Sequence, residues 1–355
     1  MGIAKYIKEI GRGAAGARSL ALEQAEDLMA TVLDGGASDL EVGAFALAMR
    51  VKGETLDEIV GFLRAVEARC LVFESERPVV VLPTYNGARR LPNLTPLLAM
   101  LLAQQGARVF VHGPLQDPAR VTSAEILRDF GLPPAQNSAD VARAWARREP
   151  AFVPTALLCP PLQRLLDVRW SVGLRNSGHT VAKLIGPCTG ARMLRVSSYT
   201  HPEFGRLMGE WAAREGADAM LLRGTEGEVV ADPRRQPRID TWIGGQLRPE
   251  WSIAAQEGSV TDLPLLPREI DAATTALYIQ SVLSGEKPAP APLARQVQLV
   301  LGALAALEAS PQPEGRPARA LPTAEPGLGI TPISDIESSS LLAMPLHATS
   351  APPDR

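Results

Sequence analysis

"VVVLPTYNGARR", residues 79–90, decides the fold class. Val79–Leu82 is a short β-branched, apolar run that reads as a buried strand. Pro83, Asn86 and Gly87 are turn residues, and Arg89 and Arg90 set two fixed positive charges just beyond the turn. In "NLTPLLAMLLAQQ", residues 93–105, Thr95 before Pro96 predicts an N-cap with proline at the first helical position, and a helix from Pro96 to Gln105. Strand, turn and helix together make a βα unit. The free N–H groups and the dipole at the helix start favour an anion in the Pro83–Arg90 loop.

Outward from this unit, Arg108–Val111, Phe152–Pro154, Ala191–Val196 and Ala219–Leu222 read as further strands separated by helical stretches. That alternation predicts an α/β domain with a central, mostly parallel sheet. Upstream, the pattern is helical only. Leu20, Leu22, Ala25, Leu28, Met29 and Val32 recur at helical spacing, and Gly35-Gly36 ends that segment. Ser38 with Glu41, and Thr55 with Glu58, form two capping boxes that open two further helices. The chain therefore divides into a small helical bundle domain over residues 1–73 and a larger α/β domain over 74–310. Helical patterns at Leu162–Val168 and Thr180–Ile185 predict that about 160–190 returns to complete the bundle. From about 240 to 270 the chain reads as irregular, and no element is assigned there. A Pro/Ala linker at 284–293 precedes a helix from Leu293 to about Ala309. The Pro-rich residues 311–355 read as a disordered tail.

Composition narrows the function classes. The 355 residues are 46% apolar and 21% charged, with a net charge of −3, so no global basic signature announces a nucleic-acid protein. Any site for an acidic partner must come from local clustering. Cys70, Cys159 and Cys188 are too few and scattered for a disulfide framework or a zinc site, and read as reduced thiols. The N-terminus lacks the apolar core of a secretory signal. Leu97–Ala103 is far below the ~20 residues that span a bilayer. These features imply a soluble, cytoplasmic protein with no membrane partner.

Local charge clusters strongly in one place. Between Arg164 and Arg195, six basic residues, including Arg169, Arg175 and Lys183, face one acid, Asp167. They either make a local positive field or form a solvated face. His179, among Asn176, Ser177 and Thr180, either adds a switchable charge or caps a helix. Arg143/Arg147/Arg148 and Arg234/Arg235/Arg238 read as surface clusters with no specific role. His201-Pro202-Glu203 reads as a helix start with the histidine as cap.

With these residues in view, the chain resembles the anthranilate phosphoribosyltransferase family across about residues 1–310. The match is densest in "LEQAEDLMATVLDGGASDLEVGAFALAMRVKGETLDEIVGF", residues 22–62. The resemblance implies a helical domain joined to an α/β domain, and homodimers formed through the helical domain. The catalytic motifs depart from the family. Where it has G-T-G-G-D, this chain has Leu82-Pro83-Thr84-Tyr85-Asn86-Gly87: Pro83 removes a backbone donor, Tyr85 adds a ring, and the acid is absent. Asn93 stands at the family's Asn, and Thr95 where a Ser helps bind magnesium. The family's K-H-G-N is Val111-His112-Gly113-Pro114 here. Its magnesium-binding Asp-Glu pair is Val229-Val230, with Glu226 and Glu228 nearby but out of register. Without that pair, the charge support for a pyrophosphate leaving group is lost.

"PTYNGAR", "NLTPLL", "VHG", "CPPL", "RNSGHTVAKL", "THPE" and "GTEGEV" resemble instead the YbiB-like branch of this fold, which implies dimeric nucleic-acid binding with little sequence preference. The first reading is thus a non-catalytic binder of DNA or RNA through phosphates, with no catalytic residues, no metal and no cofactor. Its contact set is Asn86, Gly87, Arg89, Arg90, Asn93, Thr95, His112, Arg169, Arg175, Asn176, His179 and Lys183. The alternative is a glycosyl or phosphoribosyl transferase or phosphorylase with an altered substrate, in which case magnesium returns as cofactor. A phosphometabolite-binding scaffold is the third.

Overall fold

A computed structural model describes residues 2–13, 15–258 and 263–310, so the expected tail at 311–355 lies outside the described residues. The N-terminal helices are α1 (Ala4–Ile10), α2 (Leu22–Leu33), α3 (Asp39–Lys52) and α4 (Leu56–Glu67). Both predicted capping boxes close: Ser38 and Thr55 accept from the Glu41 and Glu58 backbone N–H groups, and the two glutamates return to the cap N–H groups. Glu58 does more than cap. Fully buried, its carboxylate also takes the Leu20 N–H at 2.9 Å and the Lys52 ammonium at 2.7 Å. A buried carboxylate is tolerated only when paired in this way.

After α4 the chain runs β1 (Phe73–Glu74), β2 (Val79–Pro83), α5 (Thr95–Gln104), β3 (Arg108–Gly113), α6 (Ser123–Asp129), α7 (Ser138–Ala146), β4 (Ala151–Pro154) and α8 (Thr155–Leu158). Next come α9 (Pro160–Val172) and α10 (Ser177–Val181), which pack against α2 and against α3 and α4 respectively. The remainder is β5 (Cys188–Thr189), β6 (Met193–Ser198), α11 (Pro202–Arg214), β7 (Ala219–Leu222), β8 (Ile239–Ile243), β9 (Gln246–Leu247), α12 (Ala272–Leu283) and α13 (Ala291–Ala309). β1 and β5 form a small parallel pair of their own.

The main sheet has the order β4-β3-β2-β6-β7-β8-β9. The five strands from β4 to β7 are parallel, while β8 and β9 return antiparallel. β2 is central and entirely buried. Its side chains alternate between two cores: Val79 and Val81 face the bundle and α11, whereas Val80 and Leu82 face α5, α6, α12 and α13. Burial on both faces explains the uninterrupted apolar run that marks β2 in the sequence.

Three expectations need correction. The segment after 240 is not irregular throughout, because β8 and β9 extend the sheet there. Thr95 is not an N-cap: it is the first residue of α5, and its N–H donates to the Asn93 side chain at 3.1 Å. His201 does precede α11 but makes no side-chain capping bond.

Candidate anion site at the strand ends

The strand order reverses between β2 and β6, so loops leaving the carboxyl ends of β2, β6 and β7 converge on one crevice. In open α/β sheets this switch point is where ligands bind. The β2 loop does present a row of backbone N–H donors there, but the chain supplies its own anions to them. The Glu228 carboxylate accepts from the N–H groups of Asn86 at 2.7 Å and Gly87 at 2.6 Å, and from the Thr95 hydroxyl at 3.2 Å. Glu226 accepts from the N–H groups of Arg89 at 2.7 Å and Arg90 at 3.1 Å.

The segment carrying these glutamates is built to deliver them. Glu226 has φ of +52°, a left-handed conformation that costs a glutamate energy. Gly227 follows at φ +88°, and a Cβ there would lie 2.0 Å from Asn86 Nδ2. The Asn86 amide donates to the Gly227 carbonyl at 2.6 Å. On the far side, buried Gln296 of α13 holds the Val229 carbonyl and the Ala231 N–H at 2.8 Å each. Loop and segment are locked from both ends.

Half-buried cations complete the arrangement. Arg175 donates to the Asn86 side-chain oxygen and to the Tyr85 carbonyl, and burial, helped by Arg169 and Arg120, lowers its pKa to about 10. Lys183 is held by the Ser198 carbonyl and hydroxyl and the Gly227 carbonyl at 3.1–3.2 Å, and burial pulls it down to about 8. Arg120 donates to the Asn86 carbonyl at 3.2 Å. Asn93 donates to the Ser123 hydroxyl at 2.9 Å.

His112 is fully buried, with Nδ1 2.8 Å from the Tyr85 hydroxyl and Nε2 without a hydrogen-bond partner among the described residues. Burial lowers its pKa to about 3. His179 is likewise held to about 3, by burial first and then by Arg175 and Arg169. Its ring accepts the Asn176 N–H at 3.3 Å while Asn176 caps α10, so it closes a capping box.

The basic run from Arg164 to Arg195 is therefore not an open positive field. Arg169 pairs with Asp117 at 2.5 Å, Arg192 with Asp218 at 2.5 Å and Arg195 with Glu67 at 3.6 Å, all acids remote in sequence. A cavity of about 360 Å³ beside Arg169 is lined by Tyr85, Leu115, Trp170 and His179.

The exposed positive charge lies elsewhere, and part of it is paired with acids at the same place. Arg89 and Arg90 project outward, exposed. Arg90 opens onto a cleft of about 1350 Å³ that Arg206, Arg223, Arg234, Arg235 and Arg238 also line. Its acids are Glu210, Glu226, Asp232 and Asp240: Glu226 is committed to the β2 loop, while Asp232 pairs with Arg234 at 2.8 Å, Asp240 with Arg238 at 2.8 Å and Glu210 with Arg206 at 3.8 Å. Arg90, Arg223 and Arg235 have no ion pair among the described residues. The Arg234/Arg235/Arg238 cluster, read from sequence as surface without a role, forms one wall. Arg206 and Arg223 were missed because neither sits in a basic run; α11 and the end of β7 bring them to the cleft.

Comparison with known proteins places this geometry. Residues 4–70 match the glycosyl transferase family, helical bundle domain. The uncharacterized protein YbiB of Escherichia coli (strain K12) is 39% identical over 300 residues, covering 84% of this chain and 92% of that one. The chain belongs to this glycosyl transferase family, as a relative of YbiB. An anthranilate phosphoribosyltransferase of Symbiobacterium thermophilum is 27% identical, covering 86% of this chain and 88% of its own. Among solved structures, anthranilate phosphoribosyltransferase (TrpD) of Thermus thermophilus overlays with a TM-score of 0.66 at 22% identity, covering 86% and 88% of the two chains. The Saccharomyces cerevisiae enzyme in complex with PRPP and Mg overlays at 0.62 with 15% identity and the same coverage. Such likeness establishes the shared fold.

The magnesium that the family's transferase fold implies does not fit the residues present. Glu226 and Glu228 spend their carboxylates on backbone donors of the β2 loop, and Val229 and Val230, both buried, follow them. Among the described residues no group of three or more His, Cys, Asp or Glu side chains is gathered as a metal would need. No helix among them is long and apolar enough to cross a membrane.

Proposed function

We propose that this family member is a nucleic-acid-binding protein of low sequence specificity that works as a homodimer and transfers no group. One observation carries the reading: the phosphate-type loop is filled by Glu226 and Glu228, while arginines crowd the open cleft beside it. A loop whose donors are already satisfied gains little from an incoming phosphate. Exposed guanidiniums lose little hydration in meeting one, and they match phosphate oxygens two at a time. The contact set moves accordingly, from the buried Asn176 and His179 and the half-buried, already bonded Arg175 and Lys183 toward Arg89, Arg90 and the cleft arginines.

The dimer has support of its own. α3 exposes an apolar stripe, with Leu40 at 84%, Leu47 at 52% and Val51 at 58% exposure, beside capped ends that fix the helix. Self-association through this face would give each nucleic acid two clefts to touch.

The test is a salt series of binding to DNA and RNA. With about four phosphates neutralised on a single strand, affinity falls about fiftyfold between 50 and 200 mM salt. Arg234→Glu/Arg235→Glu should abolish binding, and salt-independent or absent binding contradicts the reading. The cavity beside Arg169 favours a second reading, an enzyme acting on a small aromatic or phosphorylated substrate. Turnover of phosphoribosyl pyrophosphate with a panel of aromatic acceptors and nucleobases decides it.

A further inference from the structure

The floor of the arginine cleft is aromatic. α11 carries Gly205 and Gly209 one turn apart, and a ring lies over each. A Cβ on Gly205 would sit 2.9 Å from Tyr199 Cζ, and one on Gly209 would sit 3.1 Å from Trp242 Cζ2. The two rings thus rest directly on helix backbone, a seating that any larger residue would lift. Both are half-buried, and both line the cleft together with the arginines. Neither ring has this position by local sequence: Tyr199 directly follows β6 and Trp242 sits in β8, and the sheet brings them to the same helix face.

A flat ring backed by protein and bordered by guanidiniums is suited to a π-face with negative charge attached to it. Bases in a duplex are stacked on one another and present only their edges. Bases in a single strand offer their faces. The volume, about 1350 Å³, exceeds the roughly 300–1,000 Å³ of ordinary small-ligand pockets and leaves room for more than one nucleotide. We propose that this cleft is a single-strand site, in which bases stack on Tyr199 and Trp242 while the linking phosphates meet Arg90, Arg223 and Arg235, which no acid of the cleft pairs, and then Arg234 in exchange for Asp232. The proposal rests on the nucleic-acid reading above and narrows it to unpaired strands.

The experiment is fluorescence anisotropy of labelled oligo(dT) and of a blunt duplex of equal length, with the full-length chain. Oligo(dT) should bind more tightly than the duplex. Tyr199→Leu and Trp242→Leu should each lose about tenfold for oligo(dT), while Tyr199→Phe and Trp242→Phe keep most of it. On the unmutated protein, saturating oligo(dT) should quench tryptophan emission, and the quench should vanish in Trp242→Phe. That measurement decides the matter should a leucine variant fail to fold. Leucine variants that bind oligo(dT) like the wild type, or a quench that survives Trp242→Phe, overturn the stacking site. In that event, loss of binding in Arg234→Glu/Arg235→Glu would leave the broader reading standing. A wild-type protein that binds neither strand form overturns both.

Discussion

Glu228→Ala tests the self-filled loop. The substitution removes the acceptor of two buried backbone N–H groups, Asn86 and Gly87, and of the Thr95 hydroxyl. Glu228 is 2% exposed, so solvent offers little replacement. Each bond to a charged group contributes about 1.5–3 kcal/mol, and each buried donor left unpaired costs about 1–3 kcal/mol. Partial entry of water into the vacated space offsets part of this, and a net loss of about 3 kcal/mol is expected. Urea unfolding measures it directly. The second arm adds inorganic phosphate. In the variant, phosphate can take the empty place, and at ten times its Kd it should restore about 1.4 kcal/mol. In the wild type it should give only the general stabilisation by an excluded anion, matched by sulfate. A variant within about 1 kcal/mol of wild type, or equal phosphate shifts in the two proteins, would refute the claim that a carboxylate holds the phosphate position.

Other consequences follow from single features. Leu47→Glu places a charge in the exposed stripe of α3 and should leave a folded monomer by light scattering; an unchanged mass excludes that face as the dimer contact. Gly227→Ala meets both a φ of +88° and Asn86 Nδ2, so it should cost more than about 2 kcal/mol and raise hydrogen exchange at the Asn86 and Gly87 amides. His112 and His179 stay neutral in the fold down to about pH 3, whereas the unfolded chain takes up protons near 6.5. Their contribution is complete above about pH 6.5 and is lost as pH falls toward 3, by about 2 kcal/mol for each between pH 7 and 5. Equal urea midpoints at those two pH values would contradict their burial as neutral rings.

What the sequence revealed was what is local. The β-branched run at Val79–Leu82 announces a strand buried on both faces, and the Ser38 and Thr55 boxes announce helix starts three residues wide. Thr95 misled because Thr-Pro fits the cap-then-proline pattern, while the actual capping oxygen comes from Asn93 two residues earlier. β8 was hidden because it is a short antiparallel strand next to the sheet's edge, with Asp240 and Trp242 only half-buried between Ile239, Thr241 and Ile243. The site was less legible than the fold. Glu226 and Glu228 stand out as acids near a lost magnesium pair, but their partners lie 133–142 residues away, beyond any spacing argument. The same holds for Asp117, Asp218 and Glu67, which neutralise a run that reads as bare positive charge. Tyr199, Arg206, Arg223 and Trp242 lie at or beside four different elements, and only the order β6-β7-β8 with α11 gathers them.

The most direct test of the account is where a nucleic acid touches the chain. Oligonucleotides carrying photoreactive thymidine, cross-linked to the protein and mapped by mass spectrometry, should mark peptides of α11 and of residues 223–242 that line the cleft. Cross-links confined to residues 83–87, α9 and α10, where Glu228 and the half-buried cations are already taken up by neighbouring groups, would contradict it.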